Sequence, residues 1–367
     1  MRLSRTLSLY LARQFATAYF GVLAAIMGVI FLSNLIELVR RAAGRPGLGM
    51  GVLSELAFFQ LPELVHVVMP FVMLIAAMVA FFRLTRSHEL VVARAAGVSV
   101  WQFLAPVLIL VLGIGVFELT VINPISAAMY ARYESMQNAL INHGGVLDVS
   151  GSGLWLREGA PHGGQVVLHA DYVHERGLIL YLRDVEIFRF DRPGHFSERL
   201  SAQSARLVKN AFDMTDVWVM IPGEPSVHKQ TLVMPTTLTL ARVHDNFASP
   251  ETLSVWQLPG FIAFFEKAGF AAPRARMYLN SLISSPFLYC AMVLLAAVFS
   301  LKPDLRSGGM VWRVAGGVAA GFLFYFFSKV IYAFGLSQTV PQILAAWAPA
   351  LMAGFAGVGG LLHLEDG

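Results

Sequence analysis

The chain has 367 residues, of which 56% are hydrophobic and only 14% are charged. A soluble globular domain carries about 25% charged residues, so this composition indicates a membrane protein. The net charge of +4 is small and the basic residues lie at the ends of apolar segments, which argues against nucleic-acid binding. The single cysteine, Cys290, excludes a disulfide framework and a thiolate metal site, and its apolar surroundings indicate a packing role.

Six apolar segments are long enough to cross a bilayer as helices, which takes about 20 residues each. Three precede a long polar stretch and three follow it. In chain order they are residues 15–36, 64–82, 100–122, 277–301, 314–334 and 343–363. The first segment exceeds the apolar core of a signal peptide, which is about 7–15 residues, and is predicted to stay as a membrane anchor.

The polar stretch between the two sets of helices predicts a β domain. Short segments rich in Val, Leu, Ile, Thr and aromatic residues alternate there with Gly, Pro, Asn and Asp, which is typical of an antiparallel sandwich or barrel. The predicted strands are residues 153–158, 165–173, 178–190, 205–208, 216–221 and 231–240. Residues 254–269 are strongly apolar and predict an amphipathic helix in the membrane interface.

These elements predict a membrane α-helical fold with an inserted antiparallel β domain. The predicted domains are residues 1–129 with the first three helices, 130–250 with the β domain, and 251–367 with the interfacial helix and the last three helices. Arg and Lys concentrate before the first helix, between the second and third, and between the fourth and fifth. This distribution places both termini in the cytoplasm and the β domain outside it.

Motifs for enzymatic chemistry are missing from the sequence. It has no G-x-x-x-x-G-K-[ST] phosphate loop, and His88-Glu89 is not followed by the second histidine of H-E-x-x-H. No G-x-S-x-G nucleophile turn occurs either. We therefore assign no catalytic residue, metal site or bound cofactor to this chain, and any ATP it depends on must be hydrolysed by a partner.

The loop between the second and third helices predicts a short amphipathic helix over residues 84–98, ended by Gly97. One interpretation is a tight connection between two spans. The other is a coupling helix that binds a cytoplasmic partner through its apolar face. Its candidate partner-contact residues are Arg86, Glu89, Leu90, Val91 and Arg94.

Glu118 lies within the third predicted span and Lys329 within the fifth, and both side chains are ionisable. Such side chains are costly in hydrocarbon and usually face the protein interior. They are interpreted either as snorkelling side chains or a mutual ion pair, or as a polar lining for the headgroup of an amphiphile.

A basic cluster follows the first span, where Glu37, Arg40, Arg41 and Arg45 lie on the side that orientation rules leave poor in arginine. The guanidinium fork suits phosphate, so an anionic lipid headgroup is one candidate ligand, and interfacial anchoring is the alternative. In the fifth span, Gly317 and Gly321 predict a close helix contact, within one chain or between two.

The same features resemble the lipopolysaccharide export permeases of the LptF/LptG family, and more closely its LptG branch. The resemblance covers nearly the whole chain. It is most specific at Leu61-Pro62, at Pro70, and in the loop from Arg86 to Gly97, where His88 is inserted into the family's R-S-E-L. A second match lies in the C-terminal half. It consists of Arg306-Ser307, Met310, Arg313-Val314, Gly316, Gly321-Phe322 and Phe324-Tyr325.

The resemblance implies that the β domain is a periplasmic jellyroll and that the chain pairs with an LptF-like paralogue in the bacterial inner membrane. It further implies an LptB-like ATPase dimer using ATP and Mg²⁺, an LptC-like membrane protein and an LptA-like periplasmic bridge, with lipopolysaccharide as the substrate. The implied substrate contacts are Glu37, Arg40, Arg41, Glu118, Arg132 and Lys329.

One position departs from the family pattern. Asn34 stands where LptG proteins commonly have a lysine that faces the substrate phosphates, and Lys329 is a candidate to replace that charge.

Two other functional classes stay open. A secondary transporter predicts inverted repeats and broken midplane helices, which the sequence lacks. The second class is a membrane scaffold or sensor with a ligand-binding β domain, and such a protein would not require a coupling helix.

Overall fold

The computed structural model describes most of the chain as two compact units. The described residues are 5–42, 49–87, 89, 92, 95, 97–140, 147–150, 153–159, 164–176, 179–192, 195–208, 211–236, 249–267, 272–301, 309–337 and 339–366. The helical unit comprises Met1–Tyr133, Leu253–Leu258 and Pro273–Gly367. The β unit comprises Glu134–Thr252 and Pro259–Ala272.

The long helices confirm the predicted layout of three spans, an insert and three spans. The helices are α1 (Arg5–Ala42), α2 (Met50–Arg86), α3 (Val100–Phe117), α4 (Asn123–Leu140), α5 (Leu258–Lys267), α6 (Pro273–Ser300), α7 (Gly309–Leu336) and α8 (Gln342–Asp366). A π-helical turn, Glu118–Ile122, joins α3 to α4, so Val100–Gln137 is one continuous span. Among the described residues, six helical segments are long and apolar enough to cross a membrane.

Most spans are longer than their apolar segments. Helix α1 has 38 residues and continues to Ala42, because backbone hydrogen bonding carries on where the side chains become polar. Its last turn contains Arg40 and Arg41, whose positive charge is favourable at the carboxyl end of a helix. The predicted interfacial helix is shorter than expected. Helix α5 begins at Leu258 rather than at Ser254, because Ser254 and Gln257 hydrogen-bond to each other in the preceding turn.

Helices α2 and α6 are the most buried spans of the helical unit. The apolar windows of these two helices are 56% and 61% buried, against 6% for α1 and 11% for α7. Small buried side chains lie toward the C-terminal ends of both helices, including Ala76, Ala77, Ala80, Ala296 and Ala297. Because lipid tails are as apolar as the side chains, this close packing, rather than the exclusion of water, holds spanning helices together.

Glycines mark the places where helix backbones approach most closely. A Cβ added at Gly115 would lie 2.7 Å from the Cα of Pro286 in α6. One added at Gly357 in α8 would lie 2.7 Å from Cβ of Leu294 and 3.1 Å from two atoms of the α6 backbone. The predicted pair Gly317 and Gly321 contacts Met78 and Leu74 of α2, so this glycine face packs within the chain.

The β unit contains one antiparallel sheet, in which seven described strands pair in sequence order. The strands are β1 (Leu147–Ser150), β2 (Gly153–Gly159), β3 (Gln165–Arg176), β4 (Ile179–Arg192), β5 (His195–Val208), β6 (Ala211–Met220) and β7 (Val227–Pro235). Strand β1 was not predicted, and β5 begins at His195 rather than at residue 205. The start of β5 was missed because residues 195–204 are mostly polar and only Leu200 and Ala202 among them point to the buried face.

The two faces of the sheet differ in polarity. One face is apolar and fully buried, and its residues include Leu168, Ala170, Leu182, Val185, Ile187, Leu200, Ala202, Phe212, Met214 and Val217. The other face carries cross-strand polar pairs such as Arg199 with Glu186 and Arg206 with Asp213. Asp184 and Asp216 have φ of 53° and 57° and are skipped in the strand pairing. At those kinks the alternation shifts by one residue, so the apolar residues of the long strands stay on one face.

The contact of α8 with α6 predicts a difference between two glycines of the same helix. Gly357→Ala should destabilise the chain, because its Cβ would meet the α6 backbone, and forced overpacking costs about 1–3 kcal/mol. The measurement is thermal unfolding of the purified chain in detergent. Gly359→Ala is the matched control, because a Cβ there meets no atom within 4 Å in the described residues. Equal melting temperatures for the two variants would contradict this packing.

Candidate functional site

The predicted coupling segment begins where α2 ends. Arg86 is exposed in the last turn of α2, and the Ser87 N–H donates to the carbonyl oxygen of Arg83 at 3.0 Å. Glu89, Val92 and Ala95 are helical, as predicted, and Gly97 has a φ of +80° that suits glycine at the end of a helix. The predicted contact residues Leu90, Val91 and Arg94 lie outside the described residues.

Glu89 ties this segment to the first helix. Its Oε1 accepts a hydrogen bond from the Tyr10 hydroxyl of α1 at 3.2 Å and another from the Ser87 hydroxyl at 2.9 Å. Val92, one turn further on, is 68% exposed, although it is apolar and lies outside the long spans. The segment is therefore held at Glu89 and presents an apolar side chain beside it.

The basic cluster at the end of α1 is a network around one carboxylate. Arg40 donates through Nε and Nη2 to the two oxygens of Glu37 at 2.8 and 2.9 Å. Arg41 donates through Nε to Glu37 Oε1 at 2.7 Å. Positions 37, 40 and 41 share one helix face because they are three and four residues apart. Two guanidinium groups around one carboxylate leave one net positive charge, and Arg40 is 76% exposed, so this end of α1 can bind an anion.

Arg132 and Lys329 both lie over aromatic rings. The Arg132 guanidinium carbon is 5.5 Å from the ring centre of Phe59, and Lys329 Nζ is 5.3 Å from that of Tyr325. Each cation is exposed, so its N–H groups stay available while the ring fixes its position. These two sites also can contact an anionic group.

Glu118 is placed differently from the other candidate residues. It is 6% exposed, and its Oε1 lies 2.8 Å from Nδ1 of His66 in α2. The described residues therefore pair Glu118 with His66, whereas Lys329 contacts Tyr325. His66 was not singled out from the sequence. The rule that drew attention to Glu118 applies to it equally, because it is an ionisable residue within the predicted second span.

The structure thus brings three of the predicted substrate-contact residues together, Glu37, Arg40 and Arg41, and describes the other three at separate positions in the helical unit. Asn34 is half-buried, and in the described part of the chain its amide nitrogen has no hydrogen-bond partner.

The polar face of the β unit has a groove of about 440 Å³. Its lining includes four carboxylates, Asp171, Asp184, Glu186 and Asp216, together with Trp218. Among the described residues, no group of three or more His, Cys, Asp or Glu side chains is arranged to hold a metal ion. The carboxylates make this groove unfavourable for a phosphate.

Comparison with known proteins identifies the family to which these features belong. Residues 9–363 match the family described as Lipopolysaccharide export system permease LptF/LptG. The chain is 25% identical over 357 residues to the Lipopolysaccharide export system permease protein LptG of Escherichia coli strain K12, covering 91% of this chain and 92% of that protein. It is 22% identical over 361 residues to the LptG protein of Haemophilus influenzae, covering 95% of each. The chain therefore belongs to the LptF/LptG family of lipopolysaccharide export permeases.

Proposed function

We propose that the chain is the permease subunit of an ABC transporter that extracts lipopolysaccharide from the outer leaflet of the inner membrane and passes it through the β unit toward the outer membrane. One observation carries this proposal. The family match extends from residue 9 to residue 363 and so includes the spans, the coupling segment and the β unit. The chain has no phosphate loop of its own, which fits a subunit that depends on a partner for ATP hydrolysis.

The partners in this proposal supply what the chain lacks. An LptB-like ATPase dimer hydrolyses ATP with Mg²⁺ in the cytoplasm, and an LptF-like paralogue completes the cavity between the spans. An LptC-like membrane protein and an LptA-like periplasmic bridge receive the lipid beyond the β unit. Both termini and the coupling segment lie in the cytoplasm, as the arginine distribution of the short loops favours.

The coupling segment transmits the movement of the ATPase. Glu89 joins the segment to α1 through Tyr10, and the segment follows directly on Arg86, the last residue of α2. A displacement of the segment therefore acts on both helices at once. Coupling needs two arrangements of the spans with different affinities for the lipid, and a segment bonded to two spans is suited to switch between them.

The lipid is recognised at its charged headgroup and carried by its acyl chains. Arg40 and Arg41 present guanidinium groups at the end of α1, and Arg132 and Lys329 are further cations fixed over rings. Arginine forms paired, charge-assisted hydrogen bonds with phosphate oxygens. The acyl chains are too apolar to cross water and need an enclosed apolar path.

The coupling role predicts that Glu89→Ala weakens association with the ATPase subunit. Loss of the hydrogen bonds to Tyr10 and Ser87 frees the segment, and we expect about fivefold less co-purifying ATPase, which corresponds to about 1 kcal/mol. The measurement is the ratio of ATPase to permease after gentle detergent extraction from the native membrane.

Glu55→Ala is the matched control for that experiment, since Glu55 is an exposed carboxylate near the start of α2, at the opposite end of that helix from the coupling segment. It should retain the full amount of ATPase. Unchanged co-purification in Glu89→Ala would refute the coupling role. A complete absence of ATPase from the wild-type preparation would refute the proposed function and favour a scaffold or sensor.

The headgroup role predicts that replacing Arg40 and Arg41 together by glutamine reduces binding of lipopolysaccharide. Neutralising both arginines leaves Glu37 as an unpaired negative charge, and we expect about tenfold less crosslinking of a photoactivatable lipopolysaccharide, which corresponds to about 1.4 kcal/mol.

Replacing both by lysine keeps the charge and removes the planar fork, so crosslinking should fall between the wild type and the glutamine variant. Arg83→Gln is the control, because Arg83 is an exposed arginine at the far end of α2. Crosslinking that is equal in the wild type and the double glutamine variant would exclude these arginines from the binding site.

A further inference from the structure

The π-helical turn of the third span arises at a proline. In an α-helix the carbonyl of Thr120 would accept a hydrogen bond from the N–H of residue 124, but Pro124 has no N–H. The chain forms a π-helical turn over Glu118–Ile122 instead, and the Asn123 N–H donates to the Glu118 carbonyl. Such turns leave backbone groups available and are frequent at functional positions.

The segment Leu253–Leu258 docks on this turn. The Trp256 Nε1–H donates to the freed carbonyl of Thr120 at 3.4 Å. The backbone N–H of Val255 donates to Oδ1 of Asn123, the residue that follows the turn, at 2.8 Å. Asn123 is buried, so the second bond is shielded from water. The π-helical turn therefore serves as the attachment point of this segment within the helical unit.

The first residue of the same turn, Glu118, belongs to a buried polar cluster. Besides His66 of α2, the titratable groups around it are Tyr19 of α1 and Tyr289 of α6, both almost fully buried, and Glu63, which interacts electrostatically with His66. The Tyr289 hydroxyl lies beside the carboxyl group of Glu118 and the hydroxyl group of Ser285.

The charge of this cluster depends on one proton. With one proton on the His66 and Glu118 pair, the pair has no net charge, whether the proton lies on the imidazole or on the carboxyl group. Without that proton, the pair carries one negative charge, and the nearby carboxylate of Glu63 repels it. An uncompensated charge inside a membrane protein is strongly unfavourable, so loss of the proton favours a movement of Glu118 toward water.

We propose that His66 and Glu118 form a proton-binding site, and that release of its proton to water detaches the segment Leu253–Leu258 from the π-helical turn. Glu118 is the first residue of the turn and its carbonyl accepts the hydrogen bond from the Asn123 N–H, so a displacement of the Glu118 backbone toward water also displaces Asn123. That displacement carries the Thr120 carbonyl and the Asn123 side chain away from Trp256 and Val255. The proposal holds whichever lipid the chain carries.

Hydrogen–deuterium exchange of the full chain in detergent tests the proposal. The peptide that covers residues 253–258 is followed between about pH 5.5 and pH 8.5, on either side of the usual imidazole titration, after correction for exchange of an unstructured peptide. In the wild type we expect exchange at the high pH to be about threefold or more faster than at the low pH. Glu118→Gln keeps the shape of the side chain and removes the titrating carboxyl group, so its peptide should stay protected throughout.

His66→Gln leaves Glu118 as the sole proton carrier and should shift the midpoint of the transition without removing it. Glu134→Gln is the control, because Glu134 is a half-buried carboxylate that accepts a hydrogen bond from Ser249 rather than from His66. It should behave as the wild type. If Glu118→Gln fails to fold, the shift of the transition midpoint in His66→Gln decides whether the proposal is correct. A wild type without a pH transition, a transition that persists in Glu118→Gln, or an unshifted midpoint in His66→Gln would each overturn the proposal.

Discussion

Contact between helix backbones, made possible by small side chains, is the constraint on which the helical unit depends. In hydrocarbon there is no gain from hiding apolar side chains from water, so attraction between helices must come from close packing. Alanines along α2 and α6 and the glycines of α3, α7 and α8 provide it. The two most buried helices thus form a centre around which the exposed helices α1 and α7 present larger side chains outward.

This centre explains how polar groups can lie where they do. The His66–Glu118 pair joins α2 to the π-helical turn of the third span, and both side chains lie mostly inside the helical unit. The cations behave in the opposite way. Arg40, Arg41, Arg132 and Lys329 are exposed and anchored by a carboxylate or a ring. Polar groups of this protein are thus of two kinds, a buried pair inside the helical unit and accessible cations at the surface. This arrangement fits the family function in lipopolysaccharide export.

Much of the fold could be predicted, because a span needs a long apolar segment and a half-buried strand needs alternation. The prediction failed where neither holds. Polar residues lengthen α1 beyond its apolar segment, and the polar first half of β5 pairs through its backbone. At the site, the sequence singled out Glu37, Arg40 and Arg41 as part of a basic cluster, and their three- and four-residue steps along one helix face explain the hydrogen bonds that the structure adds. The partner of Glu118 could not be found by spacing, because 52 residues separate it from His66 and only packing brings them together.

The distance along the chain between contacting residues has a consequence for membrane insertion during synthesis. His66 and Glu118 both belong to the first three spans, so the pair can form as soon as those spans leave the ribosome. The contact of Asn123 with Val255 must wait until about 130 further residues have been made, and the contacts of α2 with α6 must wait until Pro273–Ser300 has been made. During that interval the alanine face of α2 lacks its partner α6, and the early His66–Glu118 pair keeps the first three spans free of an unpaired buried ionisable side chain.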